Sequence, residues 1–231
     1  MAEKSNITIR YADKDDRKDI VEFLLSDFLV NETLNSSVGL SREDAGEFFT
    51  QLTDAGLKRQ ESCIILNEKN KIIGCRIGCI MNREDKKEED FLMKEEIINN
   101  DGSRKVVTKS SYNKVQLIQA ILGHVDSKIW QSLPSHINKI YYIIILSVSK
   151  DYTRRGFGEK LTCYGLDELK QKNVQGIFAE CSAIKSQNLL SKLGYKCCYS
   201  ILHSEFVDEN NHQIFIAKDD TDSVKIMFKE I

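Results

Sequence analysis

The sequence predicts an α/β or α+β fold with a mixed central sheet flanked by helices. The first observation behind this prediction is that β-branched and aromatic runs alternate with amphipathic helical stretches along the chain. The second is a composition of 231 residues, 41% hydrophobic and 29% charged, which suffices for one large core. We therefore expect a single domain over 1–231, with a charged insertion at about 82–108.

The first half of the chain is predicted to form a strand, two helices and a hairpin. Ile7–Tyr11 alternates apolar and polar side chains, and the Asp-rich cluster after it can cap a helix. The predicted elements, in order, are a strand over 7–11, a helix ending near 29, a polar loop over 30–35, a helix from about 41 to 56, and strands over 63–66 and 72–80, which a short polar turn joins into a hairpin.

The second half of the chain begins with the charged insertion and then alternates helices with strands. The segment over 82–108 is nearly devoid of aromatic residues, so we expect a solvated loop there. Ile140–Val148 is an almost continuous apolar run, which predicts a strand buried on both faces. The predicted elements are a helix over about 115–130, this strand, a helix over about 156–173, a strand over 177–180, a helix over about 186–193, and strands over 195–206 and 224–228.

Composition and charge argue against several functional classes. A formal net charge of -2 gives no positive field for a nucleic-acid backbone. No apolar stretch reaches the ~18 residues of a membrane span, and the N-terminus lacks the apolar run of a signal peptide. The seven cysteines form no CxxC pair, and no His has zinc-ligand spacing. We expect a cytoplasmic monomer that acts on a small molecule, without metal, nucleic-acid or membrane partners.

The turn after Val148 carries the clearest chemical signal. It contains Arg154, Arg155, Gly156 and Gly158, and an amphipathic helix follows it. Free N–H groups and the dipole at a helix N-terminus attract phosphate, and glycines let the backbone approach it closely. The glycines alone fit a plain strand–turn–helix equally well, but the arginines and the preceding apolar strand favour an anion site. The turn matches neither G-x-x-x-x-G-K-[ST] nor G-x-G-x-x-G, so nucleoside triphosphates and dinucleotides lose support.

Four segments carry a resemblance to a known family. Thr153–Gly158 resembles the acetyl-CoA loop of the GCN5-related N-acetyltransferase superfamily, [QR]-x-x-G-x-[GA], with Thr at its first position. The others resemble the insect-type arylalkylamine (dopamine) N-acetyltransferases, and the likeness extends over nearly the full length. They are Asn31–Asn35, similar to D-E-P-L-N; Ile145–Val148, similar to I-L-S-V; and Cys181–Ser186 with Lys192–Tyr195, similar to C-S-S-x-x-S and K-L-G-F.

This resemblance implies a sheet of about seven strands that splays apart between its fourth and fifth strands. It also implies acetyl-CoA as co-substrate. Backbone groups of the strand before the turn would contact the pantetheine arm, and the turn would hold the pyrophosphate. The residues expected to bind the cofactor are Leu146, Ser147, Val148, Thr153, Arg154, Arg155, Gly156, Phe157, Gly158 and Glu159.

The resemblance implies catalytic residues as well. Glu32 would take a proton from the substrate ammonium through water, although a loop Glu can instead flank or cap a helix. Ser182 and Ser186 would supply or relay a proton to the leaving thiolate, and helix capping is the alternative for both. Glu180, an ionisable group at a strand end, is the reserve candidate for the base.

The predicted function is that of an acyltransferase, an acetyl-CoA-dependent N-acetyltransferase acting by direct transfer in a ternary complex. Its acceptor would be a small primary amine, and the resemblance favours arylalkylamines such as dopamine, serotonin, tyramine or tryptamine. Polyamines, amino-acid derivatives and protein amines are alternative acceptors for the same class of enzyme. A domain that binds acyl-CoA without catalysis is an alternative from a different functional class. The acceptor pocket stays unassigned: the aromatic residues Tyr11, Phe28, Phe48 and Phe49 could wall it, or could belong to the core instead.

Overall fold

The computed structural model describes residues 7–85, 95–99 and 102–231. A π-helical segment, Leu24–Phe28, joins the first two α-helices. The helices are α1 (Arg17–Phe23), α2 (Leu29–Asn31), α3 (Thr33–Val38), α4 (Arg42–Leu57), α5 (Lys114–Ser127), α6 (Ile129–Ser132), α7 (Phe157–Cys163), α8 (Leu166–Gln171) and α9 (Ile184–Lys192). The strands are β1 (Thr8–Tyr11), β2 (Cys63–Leu66), β3 (Ile72–Asn82), β4 (Glu95–Ile98), β5 (Arg104–Val107), β6 (Lys139–Val148), β7 (Gly176–Cys181), β8 (Lys196–Leu202), β9 (Phe206–Val207) and β10 (Ser223–Glu230).

The central sheet has seven strands in the order β1-β2-β3-β6-β7-β10-β8. Its strands pair antiparallel except for β6 and β7, which are parallel, so the predicted mixed sheet with flanking helices is confirmed. The ladder between β6 and β7 runs only from the pair Ile140–Gly176 to the pair Ile143–Ala179. Both strands continue beyond it, so the sheet opens between its fourth and fifth strands, as predicted.

Two of the strands lie within the charged insertion. β4 pairs antiparallel with β5, and β5 pairs parallel with β9 in a separate three-stranded sheet. Arg104 fixes this sheet to the body of the protein: its guanidinium donates to Tyr199 Oη (2.6 Å) and to Glu205 Oε2 (2.8 Å). The prediction of a solvated loop is therefore wrong for 95–98 and 104–107, while 86–94 and 100–101 lie outside the described residues.

Three local predictions also need correction. The loop predicted over 30–35 contains the start of α3, because Glu32 caps that helix. Strand β6 is buried mostly on alternate residues rather than on both faces. The helix predicted over 156–173 is two helices, since Tyr164 is extended and Gly165 adopts a left-handed φ of 74° against the side chain of Tyr11.

A buried arginine fixes α7 against the sheet. Arg76 on β3 is 1% exposed, and its guanidinium donates to the carbonyl oxygens of Leu161 (2.9 Å) and Tyr164 (2.8 Å) at the end of α7. The guanidinium also lies over the ring of Tyr141, 4.8 Å from its centroid. A cation at the C-terminal carbonyls is stabilising because the helix dipole is negative there. The opposite end of α7, where the glycine turn lies, is thereby held in place.

Candidate active site

A cavity of about 420 Å³ lies beside the opening between β6 and β7. Its walls combine apolar side chains from α4, α5 and β6 with a smaller number of polar groups, a lining typical of small-molecule sites. The cavity is lined by Phe28, Glu32, Leu34, Asn35, Phe48, Leu52, Ile118, Gln119, Leu122, Gly123, Asp126, Tyr142, Ile144, Ile145, Glu180 and Ser182.

Glu32 lies in this cavity and is 8% exposed. Its Oε1 accepts hydrogen bonds from the Leu34 N–H (3.0 Å) and from Ser182 Oγ (2.7 Å), and its Oε2 accepts one from the Asn35 N–H (2.7 Å). Burial raises the pKa of Glu32, and these hydrogen bonds oppose that rise. Glu32 thus caps α3, as its alternative assignment predicted, and also presents a carboxylate of raised proton affinity to the cavity.

The two predicted catalytic serines lie in different surroundings. Ser182 follows β7, lines the cavity and donates directly to Glu32 Oε1. Ser186, in the first turn of α9, donates to the carbonyl oxygen of Ala183 (2.8 Å) and contacts the thiol of Cys181. The structure therefore brings Ser182 together with Glu32, whereas the hydroxyl of Ser186 hydrogen-bonds to a carbonyl at the start of its own helix and does not cap it.

Replacing Ser182 with Ala is expected to move the acidic limb of the pH–rate profile to higher pH. The Ser182 hydroxyl stabilises the charged form of Glu32, so its removal raises the pKa of that carboxyl further. The limb is measured as kcat/KM against pH. The matched control is Ser186→Ala, which leaves the hydrogen bonds of Glu32 intact and should leave the limb in place. An unshifted limb in Ser182→Ala would show that this hydrogen bond does not tune the base.

A second polar group lies in the same cavity. Tyr142 Oη donates to Glu180 Oε2 (2.8 Å), and the Asp126 carboxyl lies within hydrogen-bonding range of Glu180. Burial, followed by the neighbouring Asp126 carboxyl, raises the pKa of Glu180 well above its usual range. Glu180 is the reserve candidate for the base. The carboxylate that contacts Ser182, however, is that of Glu32. Glu180 instead contacts Tyr142 and Asp126.

The glycine turn leads from β6 into α7. Arg154 and Gly156 adopt left-handed φ values of 61° and 78°, and no side chain of the described residues caps the N-terminus of α7. A Cβ added at Gly156 would meet no atom of the described part of the chain within 4 Å, so it would have room. Arg155 lies over the ring of Tyr152, 5.0 Å from its centroid, and is exposed. The turn therefore offers uncapped N–H groups next to two exposed arginines, an arrangement suited to a diphosphate.

Not every residue of this turn directs its side chain outward. Phe157 is 7% exposed and packs in a small core with Leu161, so its backbone alone faces the turn. A Cβ on Gly158 would lie 2.8 Å from Leu189 Cδ2, so this glycine permits close packing of α9. Thr153 Oγ1 donates to the carbonyl oxygen of Lys150 (3.0 Å), while Glu159 is exposed in the first turn of α7.

The edge of β6 supplies the remaining predicted cofactor-binding residues. Leu146, Ser147 and Val148 pair with β3 on one side, and on the other side they lie beyond the end of the β7 ladder. Their backbone groups on that side are available to an amide-bearing ligand. Ser147 is 8% exposed, while Leu146 and Val148 are half-buried.

Several residues of the site were not given a role from the sequence. Asp126 lies on a helix whose apolar stripe faces the core, and nothing in its sequence context distinguishes it from a solvated acid. Asn35 belongs to the segment that carried the resemblance; it is 2% exposed, lines the cavity, and its Nδ2 has no hydrogen-bond partner among the described residues. Asp27, in the π-helical segment, accepts a hydrogen bond from the Lys150 N–H (3.0 Å) and so connects that segment to the turn.

No cluster of three potential metal ligands occurs within 7–85, 95–99 and 102–231. In the same part of the chain, none of the helices has the length and apolar character needed to cross a bilayer. The cytoplasmic location and the monomeric state stay predictions.

Comparisons with known proteins complete the description of the site. Residues 31–195 match the model of the acetyltransferase (GNAT) family. No curated protein matches the chain. Arylalkylamine N-acetyltransferase 2 from Aedes aegypti is 23% identical, with 98% of this chain and 99% of that chain covered and a TM-score of 0.81. A mosquito arylalkylamine N-acetyltransferase-like protein, 5b, is 18% identical, with 98% of this chain and 100% of that chain covered and a TM-score of 0.73. A Drosophila melanogaster polyamine N-acetyltransferase that forms N-acetylagmatine is 14% identical, with 98% of this chain and 100% of that chain covered and a TM-score of 0.74.

Proposed function

Because this chain belongs to the acetyltransferase (GNAT) family, we propose that it transfers the acetyl group of acetyl-CoA to a small primary amine. The predicted superfamily and the acyltransferase class are confirmed by the family match, and solved structures of the insect arylalkylamine branch share the fold. The observation that carries the proposal is the placement of a buried, hydrogen-bonded carboxylate, Glu32, in a cavity beside the opened sheet.

The opened sheet and the glycine turn support acetyl-CoA as the donor. The uncapped N-terminus of α7 and the exposed Arg154 and Arg155 suit the pyrophosphate, and the free edge of β6 at 146–148 suits the amides of the pantetheine arm. An extended arm that follows this edge from the turn enters the opening between β6 and β7. The thioester would then lie close to the cavity that contains Glu32.

Glu32 and the serines divide the proton transfers between them. Glu32 accepts a proton from the substrate ammonium, directly or through water, and the neutral amine attacks the thioester carbonyl carbon. The C–N bond forms, the C–S bond breaks, and a proton is delivered to the thiolate. Ser182 is hydrogen-bonded to the base and can relay that proton, and we retain Ser186 as a second candidate donor.

The apolar part of the cavity supports an acceptor with a hydrophobic body. Phe28 and Phe48 line it together with aliphatic side chains such as Leu52 and Leu122, whereas Tyr11 and Phe49 are not among its described lining residues. Such walls suit the ring of an arylalkylamine and are the reason for preferring that class. The acidic groups Asp126 and Glu180 in the same cavity favour a polyamine as the second candidate acceptor.

A thiol-release assay with acetyl-CoA and a panel of amines tests the proposal. We expect release with at least one primary amine among dopamine, tyramine, tryptamine, putrescine and agmatine, and none without an acceptor. Binding of CoA to the native state should also raise the Tm, by mass action. A rise in Tm without thiol release from any amine would instead identify a domain that binds acyl-CoA without catalysis.

A further inference from the structure

The side-chain amide of Asn35 is a buried donor without a partner. Asn35 is 2% exposed, and its Nδ2 forms no hydrogen bond with the described residues. Its backbone, in contrast, is fully used: the N–H donates to Glu32 Oε2 (2.7 Å), and the carbonyl oxygen accepts from the Leu40 N–H (2.9 Å). An unpaired buried donor costs free energy, so a residue that keeps one is a candidate for a ligand contact.

Asn35 shares one side of α3 with the proposed base. Glu32 is the N-cap of this helix, and Asn35 follows three positions later, a spacing that brings two side chains to the same side of a helix. Both residues line the cavity. The terminal torsion of an Asn side chain is broad, so Nδ2 can turn towards a ligand in the cavity without a rearrangement of the backbone.

The acetyl group is expected to reach this part of the cavity. The ladder between β6 and β7 ends at the pair Ile143–Ala179. Beyond that pair, Ile144 on β6 and Ser182 after β7 both line the cavity. A pantetheine arm that follows the free edge of β6 therefore ends at a cavity whose wall also contains Asn35.

Acetyl transfer needs a hydrogen-bond donor at the thioester oxygen. When the amine nitrogen attacks the carbonyl carbon, an electron pair of the C=O bond moves to the oxygen, which becomes negatively charged. The hydroxyl of Ser182 already donates to Glu32, and that of Tyr142 donates to a second carboxyl group. Gln119, on α5, is the other amide in the described wall, but Asn35 belongs to the turn that carries the base.

We infer that Asn35 Nδ2 donates a hydrogen bond to the carbonyl oxygen of the acetyl thioester and stabilises the negative charge that develops there. The charge develops as the C–N bond forms, and the electron pair returns to the carbonyl as the C–S bond breaks. The oxygen gains no proton, so the proton transfers stay with Glu32 and the serines. This inference rests on the proposed acetyl transfer and adds a catalytic residue to it.

The test replaces Asn35 with Leu, which has a similar shape and no donor. We expect kcat to fall about 10²- to 10³-fold, the usual effect of one lost oxyanion donor, and kcat/KM to fall equally, as for an interaction made only in the transition state. The acidic limb of the pH–rate profile should stay in place, because the backbone N–H that donates to Glu32 is retained. The Tm should not fall, because the substitution removes an unpaired donor.

Thr53→Val is the matched control. Thr53, on α4, is 0% exposed, and its Oγ1 also has no partner among the described residues. It is not among the residues described as lining the cavity. This substitution also removes an unpaired buried donor and should keep both the Tm and the wild-type kcat. If Asn35→Leu does not fold, Asn35→Ala removes the amide without adding bulk and should show the same loss of kcat.

The outcomes separate this inference from the proposed function. Wild-type kcat in a folded Asn35→Leu variant would overturn the inference and leave amine acetylation intact. A displaced acidic limb, a lowered Tm or the unfolding of both Asn35 variants would show that the amide supports the fold, and would also overturn it. A loss seen with tyramine but not with phenethylamine would assign the amide to a ring hydroxyl instead. No turnover by the wild type with any amine would contradict the proposed function itself.

Discussion

Replacing Glu32 with Gln is expected to lower kcat roughly 10²- to 10⁴-fold, the usual contribution of a general base. The Gln side chain keeps the size of Glu32 and can still accept one hydrogen bond from the start of α3, but it cannot take up a proton. The acidic limb of the pH–rate profile should disappear with the base. In the wild type that limb should lie above the usual range of a Glu, because burial raises the pKa of Glu32 and activity requires its deprotonated form.

The main control for this experiment is stability, since Glu32 also caps a helix. Loss of a cap costs about 1 kcal/mol, which in a protein of this size lowers the Tm by about 2–4 °C. A drop of that size cannot account for a loss of several orders of magnitude in kcat at 25 °C. Wild-type kcat in a folded Glu32→Gln variant, or an unchanged acidic limb, would remove Glu32 from the mechanism and make Glu180 the next candidate.

Replacing Gly156 with Val is expected to weaken acetyl-CoA binding roughly tenfold to 150-fold. Gly156 has a φ of 78°, which a β-branched residue avoids, so the turn should rearrange and its N–H groups should lose their common direction. Each hydrogen bond lost to a charged phosphate costs about 1.5–3 kcal/mol. The measurement is the Kd of CoA by calorimetry, with the KM for acetyl-CoA as a second readout.

The chain offers a closely matched control at Gly102. Its φ is 81°, and a Cβ there would also meet none of the atoms that the structure describes within 4 Å. It lies in the β4–β5 hairpin rather than in the turn. Gly102→Val therefore introduces the same kind of backbone strain without touching the anion site. Equal effects of the two substitutions on CoA binding would show that the geometry of the turn at Gly156 does not carry the affinity.

The central sheet was predictable because its strands are strongly apolar and the helices between them are periodic. The opening between β6 and β7 was implied by resemblance alone, since no residue pattern in Ile140–Val148 marks where a ladder ends. The small sheet was not predicted: β4 and β5 are charged, and β5 pairs with β9 about a hundred residues later, a contact that local pattern does not encode. The contacts of Arg104 and the burial of Val106 and Phe206 in the main core hold this sheet in place.

The site was predictable where a motif exists and not elsewhere. Glu32, Ser182 and the glycine turn came from short segments with a family resemblance, and the direct hydrogen bond between Glu32 and Ser182 emerged only in the fold. Asp126 was missed because an acid on an amphipathic helix is usually solvated. Only the fold, in which α5 packs against β8 and β10, places its carboxyl beside Glu180.

A crystal structure of the protein with bound CoA tests the central claim most directly. We expect the diphosphate oxygens to lie within about 3.2 Å of N–H groups of the turn around Gly156, the pantetheine arm to follow the free edge of β6, and the thiol to end beside the cavity of Glu32 and Ser182. A diphosphate bound elsewhere, with the turn making no contact to it, would contradict the account.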